Sequence, residues 1–197
     1  MSEAVLISIR PKWVEKIANG EKTIEVRKTK PKLQTPFKCY IYCSAGGDKL
    51  WIRDAAWRER WMGGPISFLV NAKKCGGMNI GNGKVIGEFT CDRIDRLAPA
   101  DEPYGIYDIG DDYVLQTCLE NGALWDYGHG TPLYGWHISD LRIYDTPKEL
   151  SEFQRATDPC DSCHAEYTWE CTDCKKWGGD IKRPPQSWCY VEAVEDE

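Results

Sequence analysis

No run of apolar residues in the 197-residue chain approaches the ~18 needed for a helix to cross a bilayer, so a helical membrane span is excluded. The first residues, Met1-Ser2-Glu3 followed by a short apolar strip over 5–9, lack both the basic segment and the ~7–15-residue apolar core of a secretory leader. A cytoplasmic protein is expected. Net positive charge is missing as well. The formal charge of −6 argues against a broad grip on duplex nucleic acid, which rests on clustered Lys and Arg. There is no internal repeat. At 197 residues and 42% hydrophobic, the chain suits one domain of ordinary size with a small appendage.

A local anion site stays open, because the charge is unevenly spread. Positions 10 to 32 hold Arg10, Lys12, Lys16, Lys22, Arg27, Lys28, Lys30 and Lys32 against only Glu15, Glu21 and Glu25. Positions 99 to 126 carry acids and neither Lys nor Arg.

Residues 4–9 are β-branched and apolar enough for a buried strand, and Arg10-Pro11 breaks it. Trp13, Val14, Ile17 and Ala18 then fall at helical spacing, with Asn19-Gly20 as the stop. Over 23–27 the alternation predicts a strand with Ile24 and Val26 on one face and Thr23, Glu25 and Arg27 on the other. Residues 37–43 alternate too, placing Phe37, Cys39, Ile41 and Cys43 together, so these two cysteines read as core.

Trp51, Trp57 and Trp61, set among Arg53, Arg58, Glu59 and Arg60, predict an insertion packed on the wall of the fold. Strands are expected over 66–70 and 84–94, the second with Ile86, Glu88 and Thr90 on one face and Val85, Phe89 and Cys91 on the other. A helix over 111–120 should stop at Asn121-Gly122, followed by one or two strands over 133–143. Thr146-Pro147-Lys148-Glu149 has capping-box spacing, and 187–194 alternates as a closing strand. The class is α+β, mainly β: a small, partly open β-barrel with a few short helices.

Gly20-Glu21-Lys22-Thr23-Ile24-Glu25-Val26-Arg27 resembles the Gly-x-Lys-x-x-Glu-x-Arg signature of the ASCH domain, a branch of the PUA-like β-barrels. Ile7-Ser8-Ile9-Arg10-Pro11, Val85-Ile86-Gly87-Glu88-Phe89 and Tyr134-Gly135-Trp136-His137-Ile138-Ser139-Asp140-Leu141 are similar to small ASCH proteins of bacteriophages and Gram-positive bacteria. So is Pro184-Pro185-Gln186-Ser187-Trp188-Cys189-Tyr190. The resemblance covers about residues 5–154 and 181–194.

It implies a pocket for RNA or a modified nucleoside, with Arg10, Lys12, Lys22, Glu25, Arg27, Glu88, Trp136, His137 and Ser139 as binding candidates. Some related enzymes are amidohydrolases of N4-acetylcytidine that use a threonine nucleophile, a lysine and a glutamate. Lys22 and Glu88 match the last two, but Glu25 stands at the nucleophile's position. A carboxylate there would have to form a mixed anhydride, an unfavourable route to amide cleavage. Thr23 lies ~6.6 Å back along the strand. Lys22, Glu25 and Glu88 are therefore the catalytic candidates only if the protein is an enzyme, whether amidohydrolase or ribonuclease. A third alternative is a protein-interaction module using the tryptophan-rich insertion.

Plainer roles stand beside these. Glu25 and Arg27 can form a simple ion pair, His137 a structural hydrogen bond, Trp136 and Trp188 core packing, and the basic stretch a solvated face.

Cys160, Cys163, Cys171 and Cys174 form two Cys-x-x-Cys units, the spacing of a structural zinc site with four thiolates. With His164 next to Cys163, haem attachment is a rival, as are disulfides and a redox pair. The expected division is a barrel over 1–155 plus 179–194, a zinc insertion over 156–178 and a frayed tail over 195–197.

Overall fold

The computed structural model of the chain describes residues 3–53, 68–70, 78–100, 105–156 and 179–194. Its first half contains β1 (Glu3–Ile9), α1 (Pro11–Ala18), β2 (Ile24–Arg27), β3 (Phe37–Cys43), β4 (Leu50–Arg53), β5 (Phe68–Val70), β6 (Met78–Ile80) and β7 (Val85–Leu97). There follow α2 (Asp111–Thr117), α3 (Asn121–Gly128), β8 (Leu133–Lys148), a 3-10 turn (Leu150–Glu152), β9 (Gln154–Arg155), β10 (Gly179–Asp180) and β11 (Trp188–Glu192).

β1 is apolar on both faces because it lies between two cores. Val5, Ile7 and Ile9 pack with Phe37, Cys39, Ile41 and Cys43 of β3, while Ala4 and Leu6 pack with Tyr40, Tyr42, Phe153 and Val191. The alternation of β3 thus places Cys39 and Cys43 in the core, as its sequence predicts. β1 runs parallel to β3, and every other strand pairing among the described residues is antiparallel.

The main sheet has the order β11-β1-β3-β7-β8-β2; β5-β4-β6 and β9-β10 form small separate sheets. The main sheet is open. β2 and β11 are its edges, and the gap between them is spanned by side chains in place of a backbone ladder. Trp188 Nε1 donates to Thr29 Oγ1 at 3.0 Å, and the Lys32 amide donates to Tyr190 Oη at 2.7 Å. No helix among the described residues is long and apolar enough to cross a membrane.

Three local expectations are corrected. The register of β3 against β7 slips at Ile41/Tyr42, which pair with Gly87 and Val85 and leave Ile86 as the extra residue of a bulge. Ile86 therefore joins Phe89 and Cys91 in the core shared with Ile41, and Glu88, paired with Tyr40, faces the other way. The helix expected over 111–120 ends earlier, at Cys118, in the left-handed region (φ 53°). Asn121 and Gly122 open α3 instead of stopping a helix, and Asn121 Oδ1 accepts from the Tyr107 amide at 2.9 Å. Finally, β8 runs straight through 146–148, and the capping box forms three residues later, where Glu152 Oε1 accepts from the Glu149 amide. Trp57 and Trp61 lie outside the described residues.

Candidate functional site

The turn after α1 sets the site. Gly20 takes a left-handed φ of 77°, favourable for glycine alone, and the amides of Glu21 and Lys22 both donate back to the Lys16 carbonyl. This folds Lys22 inward as the chain enters β2. On β2, Glu25 and Arg27 pair with Trp136 and Tyr134 of β8, so these two charged side chains share one face, while Val26 joins Leu97, Tyr107 and Leu124 on the other.

Lys22, Glu25 and Arg27 are all buried, at 2%, 6% and 8% exposure. They form one linked unit. The Lys22 ammonium lies 3.4 Å from Glu25 Oε2 and donates to the Thr117 carbonyl at 2.6 Å. Glu25 Oε1 lies 3.0 Å from Arg27 Nη2, which also donates to the Ser8 carbonyl at 2.7 Å. Deep burial pulls the Lys22 ammonium below its ordinary value, although Glu25 beside it opposes the shift. Arg27 Nε is buried without a hydrogen-bond partner.

This unit lies against a cleft of about 510 Å³, within the range of small-molecule sites. Arg10, Lys12, Lys22, Glu25 and Arg27 all line it. Ser8, Trp13, Tyr127, Gln186 and Ser187 line it as well. Arg10 and Lys12 are exposed at its lip, with the Lys12 ammonium 4.4 Å from the Trp13 ring centre. Opposite, α3 supplies Tyr127.

Four predicted site residues lie elsewhere. Glu88 accepts from Tyr144 Oη at 2.6 Å and lies 3.4 Å from the Lys38 ammonium, on the face turned to the second core. Trp136 is completely buried, between Phe37 and Trp188, and cannot stack on a base. His137 pairs with Ile24, on the opposite face of the sheet from Glu25, and its Nε2 lies 2.7 Å from Asp95 Oδ2. Ser139 donates to the Thr90 carbonyl at 3.0 Å.

The sequence held a signal for some of the residues it did not single out. Ser8 interrupts an otherwise apolar strand, and Trp13 follows a lysine at the start of a helix. Tyr127 had none, since α3 was not anticipated.

The expected structural zinc is overturned by the side chains the fold brings together. Among the described residues no group of three or more His, Cys, Asp or Glu side chains could hold a metal ion, and Cys160, Cys163, Cys171 and Cys174 lie outside them. The described cysteines are free thiols, and burial pushes those of Cys43 and Cys91 up to about 12, far from the thiolate form a metal takes.

No family model matches the chain, and no curated protein matches its sequence. In shape it is similar to the crystal structure of ASCH from Zymomonas mobilis, with a TM-score of 0.51 and 16% identity over 96% of this chain and 87% of that one. Two single-residue variants of that protein, one Tyr-to-Phe and one Ser-to-Ala, match with the same score and identity over 90% and 88% of their chains. The likeness is one of fold: α+β, mainly strand, with few short helices and an open sheet.

Proposed function

We propose that the cleft binds a nucleoside or a nucleotide unit of RNA. The observation that carries this is Glu25 held between two cations, Lys22 and Arg27, in a cleft whose lip bears two more, Arg10 and Lys12. In a chain of net charge −6, that is a local excess of positive charge suited to a phosphate. Trp13 and Tyr127 offer aromatic surfaces for a base. The Glu25 carboxylate is an acceptor for an exocyclic amine, and the Lys22 ammonium is a donor for a ring carbonyl. The fold shared with a solved ASCH protein supports this use of the site.

Binding is favoured over hydrolysis by two placements. Glu88, the glutamate an amidohydrolase would need beside its lysine, packs toward the second core, and Thr23 is exposed and does not line the cleft.

Calorimetric titration with cytidine, N4-acetylcytidine and cytidine monophosphate tests the proposal, with chromatography of the same mixtures. Saturable binding is expected, weakened about tenfold in Glu25→Gln for cytidine, whose amine then meets a neutral acceptor in place of a charged one. All three ligands should be recovered unchanged. No heat from any of them would overturn the binding role, and deacylated product would replace it with a hydrolase.

A further inference from the structure

We propose that the cleft opens onto a strip that holds a single-stranded nucleic acid several nucleotides long, along residues 28–30 and across the end of the sheet. This rests on the cleft taking a nucleotide, and it extends the contact to neighbours on either side.

The strip alternates cations and aromatic rings. Tyr127 lines the cleft, and the Lys28 ammonium lies 5.0 Å from the centre of its ring. Two residues on, the Lys30 ammonium lies 5.9 Å from the ring of Tyr134. Tyr134 is the ladder partner of Arg27 on one side and of Arg96 on the other. Directly opposed residues on adjacent strands share a face with side chains about 5 Å apart, so Arg27, Tyr134 and Arg96 form a row leading away from the cleft. Lys28, Lys30 and Arg96 are exposed, and Tyr134 is half-buried.

The alternation selects the partner. A nucleic acid strand repeats one negative charge and one flat ring per unit, the complement of such a row. In a duplex the ring faces are stacked on one another, so the two tyrosines would find nothing to cover. An acidic peptide would satisfy the lysines and leave the tyrosines unused. The net negative charge of the rest of the chain keeps a polyanion off other surfaces.

Fluorescence anisotropy with hexacytidylate, its deoxycytidine counterpart, a self-complementary hexamer duplex and unlabelled cytidine monophosphate as competitor tests the strip. A single-stranded hexamer should bind at least about tenfold tighter than the mononucleotide, the RNA and DNA arms showing which sugar is preferred. The double variant Lys28→Gln/Lys30→Gln should erase that advantage and shrink the salt slope by about 1.4, while leaving the mononucleotide within about twofold. Equal binding of hexamer and mononucleotide overturns the strip and leaves the cleft standing. So does a duplex that binds as well as the single strand, or a double variant that keeps the full advantage. Silence from every probe overturns strip and cleft together.

Discussion

Arg27 donates from Nη2 to the Ser8 carbonyl at 2.7 Å, joining the outermost strand β2 to β1 across a gap that no backbone ladder spans. The same nitrogen lies 3.0 Å from Glu25, and Nη1 approaches Ser187 Oγ at 3.5 Å. One guanidinium thus ties the open seam together and forms a wall of the cleft. Breaking one partner out of a buried ion pair typically costs about 3 kcal/mol or more. Arg27→Met is therefore expected to lower stability in urea unfolding by roughly that amount, with Arg27→Lys falling between, since an ammonium lacks the fork. A loss under about 1 kcal/mol for Arg27→Met would show that the seam is held by other contacts.

Glu88 lies outside the cleft and should separate stability from binding. Glu88→Leu removes the acceptor of the Tyr144 hydroxyl and should destabilise the protein by about 1–3 kcal/mol. Adding Tyr144→Phe to it should cost far less than the sum of the two single changes, because both act on one hydrogen bond. Nucleoside affinity should be unaltered. A large drop in affinity with the fold intact would return Glu88 to the site.

The pH dependence of stability has a definite sign at Lys22. Its folded-state value is lowered, chiefly by burial, so between that value and the ordinary 10.5 the unfolded chain binds more protons than the folded one. Stability from this group is fully present above 10.5 and is lost as pH falls through the folded value. Wild type should therefore gain stability relative to Lys22→Met as pH rises through that window. The difference, measured by thermal unfolding across alkaline pH, should be flat if Lys22 titrates normally.

Gly87 is held by backbone proximity. A methyl group there would stand about 2.5 Å from the Arg142 carbonyl oxygen and 3.1 Å from the Ile143 Cα, atoms that a side-chain rotation cannot move aside. Gly87→Ala is expected to destabilise by about 1–3 kcal/mol, through overpacking beside the bulge at Ile86. Unchanged unfolding midpoints would mean that β7 and β8 separate there at little cost.

Much of the first third of the chain is legible from its residues. β1, α1, β2 and β3 follow from period and punctuation, because apolar spacing and Asn19-Gly20 act over a few neighbours. The grouping of Glu25 with Arg27 is also local, since residues two apart on a strand share a face. Ile86 departs from its expected face for an equally physical reason. A bulge inserts one residue and reverses every face beyond it, and nothing in Val85-Ile86-Gly87-Glu88-Phe89 says where the slip falls. The early end of α2 depends on Cys118 adopting φ 53°, a conformation few non-glycine residues reveal in advance.

By itself, then, the sequence determined the order of most elements and the company of Lys22, Glu25 and Arg27, because turn chemistry and strand alternation are properties of adjacent residues. Only the tertiary structure decided that Ser8, Tyr127 and Ser187 would complete the cleft, that Trp136 would be fully buried away from its lining, and that the sheet would stay open. Those outcomes depend on which strands become ladder neighbours and where their registers slip. That choice is made by competition among hydrogen bonds and packing contacts between segments far apart in the chain.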